Sequence, residues 1–203
     1  MFVVFEGGDG AGKSTLIRGV CHYLETRSKP YVLTREPGGP QLCEEIREML
    51  LHQQDKKGIS VLSETLLFLA SRTQNIHEII QPALDLGKIV LCDRFNASTI
   101  AYQGVGRNLG YEFTKNLCHI VTSACQPTLT FYIDLSPEIG LQRSKKASSE
   151  WDRFEAEGLD FHKQVRAGFL RQVEEDPTMH QVDGTMPPDV VLNVVLEILK
   201  QYE

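Results

Sequence analysis

A phosphate-binding motif stands close to the start of the chain. It reads Gly7-Gly8-Asp9-Gly10-Ala11-Gly12-Lys13-Ser14-Thr15, contains the pattern G-x-x-x-x-G-K-S, and lies between a short apolar run and a segment with helical spacing. Glycines let successive backbone N–H groups turn towards phosphate oxygens, and the N-terminus of the following helix adds partial positive charge. These nine residues therefore predict a nucleoside triphosphate site, where Lys13 bridges the terminal phosphates and Ser14 reaches Mg²⁺.

A phosphate loop alone suits a GTPase, a motor ATPase or a small-molecule kinase, so the rest of the chain has to decide. A GTPase normally carries an Asn-Lys-x-Asp segment after a late strand, whereas Tyr132-Ile133-Asp134-Leu135-Ser136 stands in that position. A motor ATPase ends its central strand on two acids, whereas Asp93 is followed by Arg94. Asp93 still suits Mg²⁺ through water, and Arg94 indicates capture of an anion.

Arginines near strand ends and near a polar segment are candidates for binding a second phosphate. A phosphate monoester is mostly a dianion near pH 7, because its second pKa is about 6, so it needs no general base to act as an acceptor. It needs neutralisation, since it approaches a triphosphate of like charge in a site that excludes water. Guanidinium groups match phosphate oxygens well. We therefore predict this role for Arg35, Arg94, Arg143 and Arg153.

Short apolar runs alternate with segments of helical spacing along the chain. The runs lie at 2–5, 31–34, 88–92, 129–133 and, more weakly, 179–182, and all but the last are typical of buried strands. Apolar residues recur with helical spacing at Leu16, Ile17, Val20, Cys21 and Leu24, at Leu42, Ile46, Met49 and Leu50, at Leu62, Leu66, Phe68 and Leu69, and at Val191, Val194, Val195, Ile198 and Leu199. The alternation predicts an α/β fold with a five-stranded parallel sheet covered by helices on both faces.

Length and composition narrow the class of protein. With 203 residues and 41% hydrophobic content, the chain is long enough for one substantial core, so we predict a single domain over residues 1–203. The formal charge of −6 argues against a scaffold that holds nucleic acid on a broad basic face.

Five cysteines without a C-x-x-C pair are interpreted as reduced, mostly buried thiols. No signal peptide or membrane span is evident, which predicts a cytoplasmic protein without a membrane partner.

The segment from Arg143 to Glu157 is conspicuously polar. It contains Lys145-Lys146 and Ser148-Ser149-Glu150. Two interpretations stay open at this point, namely a mobile lid over approximately residues 142–155 and an ordinary solvated segment between a helix and a loop.

Several further motifs resemble those of one family, the thymidylate kinases, and particularly its bacterial type. They are Phe5-Glu6-Gly7 before the phosphate loop, Thr34-Arg35-Glu36-Pro37-Gly38-Gly39 after the second strand, Asp93-Arg94-Phe95 after the third, and then Ser98-Thr99-Ile100-Ala101-Tyr102-Gln103-Gly104. The resemblance runs along nearly the whole chain. It implies a single-domain P-loop nucleoside monophosphate kinase with a short lid, which transfers the γ-phosphate of MgATP to dTMP and forms dTDP and ADP on the way to dTTP.

The resemblance also implies which residues bind dTMP. Phe68 would stack on thymine, Arg72 would bond to its O4, and Gln103 would read another polar edge. Tyr102 would lie beneath the deoxyribose, where an added 2′-hydroxyl would crowd it, and Arg35 and Arg94 would clamp the acceptor phosphate. The full implied set is Asp9, Arg35, Pro37, Phe68, Arg72, Arg94, Ser98, Thr99, Tyr102 and Gln103.

On the donor side, the resemblance implies a lid that closes on ATP. Arg143 and Arg153 would reach the transferred phosphoryl group ahead of Lys145 and Lys146, and Asp183 would flank the adenine pocket. The implied catalytic set is Lys13, Arg94, Asp9, Arg143 and Arg153, with Ser14 and Asp93 at Mg²⁺. Members of the family are commonly homodimers.

Two alternatives stay open from the sequence. One is a kinase for another nucleoside monophosphate or for a free nucleoside, which the base pocket would distinguish. The other is a regulatory module that binds nucleotide without turnover, against which the retention of Lys13, Ser14, Arg35, Asp93 and Arg94 counts.

Overall fold

Five parallel strands form the sheet at the centre of the protein. The computed structural model describes residues 1–51, 58–147 and 152–202, and within them the strands are β1 (Phe2–Glu6), β2 (Tyr31–Arg35), β3 (Ile89–Asp93), β4 (Leu129–Asp134) and β5 (Met179–Asp183). Their order in the sheet is β2-β3-β1-β4-β5. Each of the five runs predicted as strands is therefore a strand, and the predicted parallel α/β fold is confirmed.

Helices connect the strands in the crossovers that parallel pairing requires. Those that the structure describes are α1 (Lys13–Thr26), α2 (Gln41–Leu51), α3 (Val61–Asn75), α4 (Gln81–Asp85), α5 (Asn96–Thr99), α6 (Tyr111–Thr122), α7 (Pro137–Ala147), α8 (Leu159–Glu175) and α9 (Pro188–Leu199). Two π-helical segments, Ile76–Ile80 and Ile100–Gly106, continue α3 and α5. Such segments often occur at functional sites, and the second one carries two of the predicted acceptor-site residues.

Alternating side chains of the central strands enter two separate cores, because successive residues of a strand point to opposite faces of the sheet. In β1, Val3 and Phe5 pack in the core that includes α1 and α9, whereas Phe2 and Val4 pack in the core that includes Ala83 of α4. Helices therefore cover both faces of the sheet, as the sequence predicts.

Strand β2 differs from its prediction as a buried strand. It forms one edge of the sheet, and the side chain of Leu33 is 51% exposed. A short apolar run has the same appearance in an edge strand as in a central one, because the pattern contains no information about neighbours across the sheet.

Some apolar residues of the helices also lie outside the core. Leu42 and Met49 of α2 and Leu62 and Leu66 of α3 have the predicted helical spacing, but they are between 43% and 49% exposed. Phe113 and Ile120 of α6 are exposed as well, and α3 packs against both α2 and α6. These six residues on three neighbouring helices are called the apolar surface below.

All five cysteines carry free thiols and are buried, as predicted. Burial raises the pKa of Cys118 to about 11, so this thiol is kept in its neutral form.

The sheet brings two of the sequence motifs side by side. Strand β1 pairs in parallel with β3, and Phe5 lies opposite Asp93. The phosphate loop after β1 and Arg94 after β3 therefore leave the same edge of the sheet as neighbours, at the carboxyl ends of the strands where α/β proteins bind ligands.

Candidate active site

The phosphate loop leads directly into α1, and glycines permit its shape. Gly10 has φ +70°, and a Cβ added there would lie 2.1 Å from the backbone oxygen of Gly140 in α7. A Cβ added at Gly140 would in turn lie 2.4 Å from the backbone oxygen of Asp9. Only two glycines allow the loop and α7 to approach so closely.

Lys13 is buried at the first position of α1. Its Nζ donates hydrogen bonds to the backbone oxygens of Gly7 (3.0 Å) and Gly8 (3.2 Å). Burial lowers the pKa of Lys13, and the charge of Arg94 acts in the same direction. The ammonium group therefore lies within the loop that the motif predicts for the phosphates.

Arg94 and Asp9 form the ion pair at the centre of the site. The Arg94 guanidinium donates to Asp9 Oδ1 (2.6 Å), to the Gly7 backbone oxygen (2.9 Å) and to Ser98 Oγ (3.1 Å). Tyr102 donates its hydroxyl to Asp9 Oδ2 (3.1 Å), and the guanidinium lies over its ring. Burial opposes ionisation of Asp9, but the charges of Arg94 and Lys13 outweigh it and hold the pKa of Asp9 below its usual value. The acid that is unusual in a phosphate loop thus has a cationic partner.

Glu6 holds the backbone turn that carries Arg94. Arg94 has φ +69°, which is uncommon for a residue with a side chain. Glu6 is fully buried and accepts from the Phe95 N–H (2.8 Å), the Ser98 N–H (3.1 Å) and the Ser98 hydroxyl (2.5 Å). One carboxylate therefore satisfies two backbone donors at the start of α5 and stabilises the strained residue before it.

A cavity of about 420 Å³ opens over the phosphate loop. It is lined by residues 9–15 and by Asp93, Arg94, Arg143, Ser144 and Glu155. Arg143 donates to the backbone oxygen of Gly184 (3.2 Å), which brings the base of the predicted lid to the loop that contains Asp183. Asp183 itself accepts from the Thr185 N–H (2.8 Å) and hydroxyl (2.6 Å), as in an ordinary turn.

A second cavity, of about 160 Å³, lies beside the first. Nine of the ten residues predicted for the acceptor site line it, namely Asp9, Pro37, Phe68, Arg72, Arg94, Ser98, Thr99, Tyr102 and Gln103. Glu36, Arg47, Leu51, Asp152 and Phe154 complete the lining. Asp9 and Arg94 border both cavities, so the two spaces meet at the central ion pair.

Arg72 is held at this second cavity by a buried carboxylate. Its Nε donates to Glu36 Oε2 (2.6 Å) and its Nη2 to Thr99 Oγ1 (3.1 Å), while the amide of Asn75 donates to the other oxygen of Glu36 (3.1 Å). Although burial opposes its charge, the attraction of Glu36 raises the pKa of Arg72. The orientation of the guanidinium is thus fixed by protein groups.

Two arginines lie elsewhere than the sequence predicts. Arg35 turns to Glu44 of α2, with Nη2 at 2.9 Å and 2.8 Å from its two carboxylate oxygens, and Arg47 stands in the cavity lining instead. Arg153 pairs with Glu64 of α3 and stacks on Phe154, on the side of the second cavity. Strand-end position and lid membership alone do not determine which way a long side chain turns.

The predicted lid lies partly outside the described residues. Of its range 142–155, residues 148–151 are not described, nor is the side chain of Lys146. Residues 152–155 follow on the far side and contribute Asp152 and Phe154 to the second cavity.

Sequence reasoning missed several residues of the site. Arg47 and Phe154 lie in amphipathic or polar segments with no motif around them, so no local signal distinguishes them. Glu6 and Glu36 are part of the motifs quoted above, where an acid beside an apolar strand end is itself a signal, because a buried carboxylate requires donors.

The fold and the two joined cavities define the class of protein. A phosphate loop at the carboxyl edge of a parallel five-stranded sheet, next to a second cavity that contains arginines, is the arrangement of a P-loop kinase.

Comparisons with known proteins give the particular family. A family model described as thymidylate kinase matches residues 5–195. A thymidylate kinase of Protochlamydia amoebophila is 44% identical over 207 residues, covering 98% of this chain and 92% of the relative. One from Lactobacillus helveticus is 44% identical over 203 residues, covering 98% and 95%. The crystal structure of thymidylate kinase from Ehrlichia chaffeensis matches with a TM-score of 0.78 at 33% identity, covering 98% of each chain. The chain belongs to the thymidylate kinase family.

Among the residues that the structure describes, no helix combines the length and the apolar character needed to cross a membrane.

Replacement of Glu6 by glutamine tests the state of the buried carboxyl. Burial raises the pKa of Glu6, although hydrogen bonds from Ser98 and the charge of Arg94 act against it. An acid whose pKa is higher in the folded than in the unfolded state favours folding at low pH, and this contribution is lost as the pH rises through the folded-state pKa. Glutamine does not titrate, so the Glu6→Gln variant lacks this pH-dependent contribution to stability. We expect the unfolding free energy of the wild type, relative to Glu6→Gln, to increase as the pH is lowered from about 8 to about 5.

Urea denaturation at a series of pH values measures this difference, with the exposed Glu45→Gln variant as the baseline for an amide substitution. A relative stability that falls as the pH is lowered would mean that the folded protein lowers the pKa of Glu6.

Proposed function

We propose that the protein transfers the γ-phosphate of MgATP to dTMP and forms dTDP and ADP, a step in the synthesis of dTTP. The observation that carries this proposal is the pair of cavities that share Asp9 and Arg94. One contains the phosphate loop and suits the triphosphate donor. The other contains aromatic, amide and guanidinium groups and suits a nucleoside monophosphate.

Transfer requires positioning and charge neutralisation rather than an acid–base pair. An oxygen of the acceptor phosphate attacks the γ-phosphorus, the bond to the bridging oxygen of ADP breaks, and no proton has to be removed from a dianionic acceptor. Arg94 reaches the boundary between the cavities and stabilises charge on both phosphates. Arg47 in the acceptor cavity is the second cation that we assign to the acceptor phosphate.

Two residues of the donor cavity suit Mg²⁺. Asp93 lines this cavity together with Ser14, and its Oδ1 is buried without a hydrogen-bond partner among the described residues. A buried carboxylate oxygen without a donor is a group that a hard cation satisfies, directly or through water. Ser14 and Asp93 would hold the ion, which supplies neutralisation of the triphosphate charge.

The remaining groups of the acceptor cavity fit a pyrimidine deoxynucleotide. Phe68 offers a ring for stacking, and Arg72 offers donors to a base carbonyl. Tyr102 is fixed by its bond to Asp9 and lies where the sugar of the acceptor would pass. Asp9 in turn suits the 3′-hydroxyl.

The direct test is ADP release from MgATP by the purified protein with each nucleoside monophosphate and with free thymidine. Strong stimulation by dTMP, with weaker stimulation by dUMP, would support the proposal. Stimulation by a nucleotide with another base, or by thymidine, would support kinase activity but contradict the assignment of the base pocket. ATP binding without ADP formation in every case would indicate the regulatory module.

Arg47 and Arg35 form a matched pair that tests the assignment of the acceptor phosphate. Arg47 lines the acceptor cavity, while Arg35 is paired with Glu44 on the surface. We expect Arg47→Ala to raise KM for dTMP by about tenfold or more, because a charged hydrogen bond contributes roughly 1.5–3 kcal/mol. Arg35→Ala should change this KM far less. Steady-state kinetics with dTMP as the varied substrate measures KM for both variants. A larger rise in KM for Arg35→Ala than for Arg47→Ala would assign the acceptor phosphate to Arg35 instead.

We also propose that the protein acts as a homodimer in the cytoplasm. The apolar surface on α2, α3 and α6 exposes six large side chains, which is a common property of protein interfaces, and two-fold dimers are the commonest oligomers. Five free, buried cysteines are consistent with a reducing compartment.

A charge in the apolar surface tests the dimer. We expect Leu66→Glu to dissociate it, because a desolvated carboxylate without a partner is costly at an interface. Leu86→Glu is the control, since Leu86 is 72% exposed and follows the end of α4, so it is not part of the three helices. Sedimentation velocity distinguishes the species. A wild type that sediments as a monomer, or a Leu66→Glu variant that remains dimeric, would contradict the assignment of this surface.

A further inference from the structure

One buried carboxylate beside the acceptor cavity has no part in the proposed transfer. Glu64 of α3 is 2% exposed and accepts a hydrogen bond from Gln103 Nε2 at 2.8 Å. It also pairs with the guanidinium groups of Arg153 and, at 3.6 Å, Arg107. Arg107 makes a second ion pair with Glu157 at 2.5 Å.

The contact with Glu64 determines which atom of the Gln103 amide faces it. A carboxylate only accepts hydrogen bonds, so it selects the NH₂ group of the amide and leaves the carbonyl oxygen directed elsewhere. Gln103 is 1% exposed and lines the acceptor cavity. The polar atom that Gln103 offers to a ligand there is therefore an acceptor, Oε1.

Arg72 offers the opposite kind of group. A guanidinium only donates, and Glu36 and Thr99 hold it in place. The cavity thus combines one acceptor and one donor of fixed orientation. This pair complements a pyrimidine with an N3–H donor and a 4-oxo acceptor, and it opposes cytosine, which has an unprotonated N3 and a 4-amino group.

We propose that Glu64 is a positioning residue for base selection: by holding the Gln103 amide in one orientation, it makes the pocket accept 4-oxo pyrimidines and reject 4-amino pyrimidines. This inference rests on the proposed function. Glu64 does not contact the base itself but acts through Gln103.

The same carboxylate also connects the base pocket to the segment that follows residue 151. Arg153 and Arg107 both stack on Phe154, and Phe154 lies against Phe68 and Tyr102 of the acceptor cavity. Two carboxylates and two guanidinium groups make this cluster electrically neutral. The wall over the base and the orientation of Gln103 therefore depend on one side chain.

The test compares dTMP and dCMP as acceptors for the wild type and for Glu64→Gln. An amide at position 64 donates as well as accepts, so Gln103 is free to present either end of its own amide to the base. We expect the ratio of kcat/KM for dCMP to that for dTMP to rise about tenfold or more, the effect of one misdirected hydrogen bond in a buried site. KM for ATP should stay unchanged. Loss of kcat/KM for both acceptors in equal proportion would mean a merely structural role and would overturn the proposal.

Glu157→Gln is the matched control. It removes a carboxylate from the same cluster but does not touch Gln103, so the ratio between the two acceptors should remain that of the wild type. The double variant Glu64→Gln with Gln103→Glu reverses the pair, since the new amide donates to a carboxylate that again offers an acceptor to the base. It should restore the preference for dTMP, and a double variant that favours dCMP would contradict the proposal.

Circular dichroism checks that each variant is folded. If Glu64→Gln does not fold, Glu64→Asp carries the same test, because its carboxylate withdraws from the amide by one methylene and should raise the ratio to a smaller extent. A wild type without activity on dTMP would refute the proposed function. An active wild type with an unchanged ratio in the folded variant would refute only the role of Glu64.

Discussion

The ion pair between Arg94 and Asp9 is the interaction on which the rest of the site depends. It lies where the two cavities meet, and the loops that follow β1 and β3 of the sheet contribute its two residues. Parallel pairing of β1 with β3 brings the two residues together from distant parts of the chain, and Glu6 holds the backbone of one of them in a left-handed conformation. A cation is thus placed at the boundary of the two cavities, where the proposed transfer would bring two negatively charged phosphates together. The free-energy cost of bringing these charged groups together is incurred when the protein folds, and not when a substrate binds.

Carboxylates orient most of the arginines that matter here. Glu36 fixes Arg72, Asp9 fixes Arg94, and Glu64 fixes Arg153. A buried guanidinium without such a partner would be costly, and a flexible one would lose entropy on binding. The acidic net charge of the chain is therefore compatible with an anion-binding site, because the positive charge is local and organised.

Much of the fold could be predicted from the sequence, since strands and helices that alternate along a chain allow few topologies. The phosphate loop could be predicted as well, because its function requires glycines at fixed spacing. Arg35 and Arg47 illustrate what could not be predicted. Arg35 pairs with Glu44 whereas Arg47 lines the acceptor cavity, and no local sequence pattern distinguishes the two. The exposure of Leu66 could not be predicted either, because helical periodicity identifies an apolar face but not what covers it.

The close approach of Gly10 and Gly140 has a consequence for how the sequence can change. The phosphate loop and α7 touch through their backbones, and a methyl group at either position would meet an oxygen of the other segment. Neither segment can retreat alone without displacing the phosphate loop or the helix that leads into residues 148–151. The two positions are therefore subject to a joint constraint, in which a larger residue at one cannot be compensated by any choice of side chain at the other.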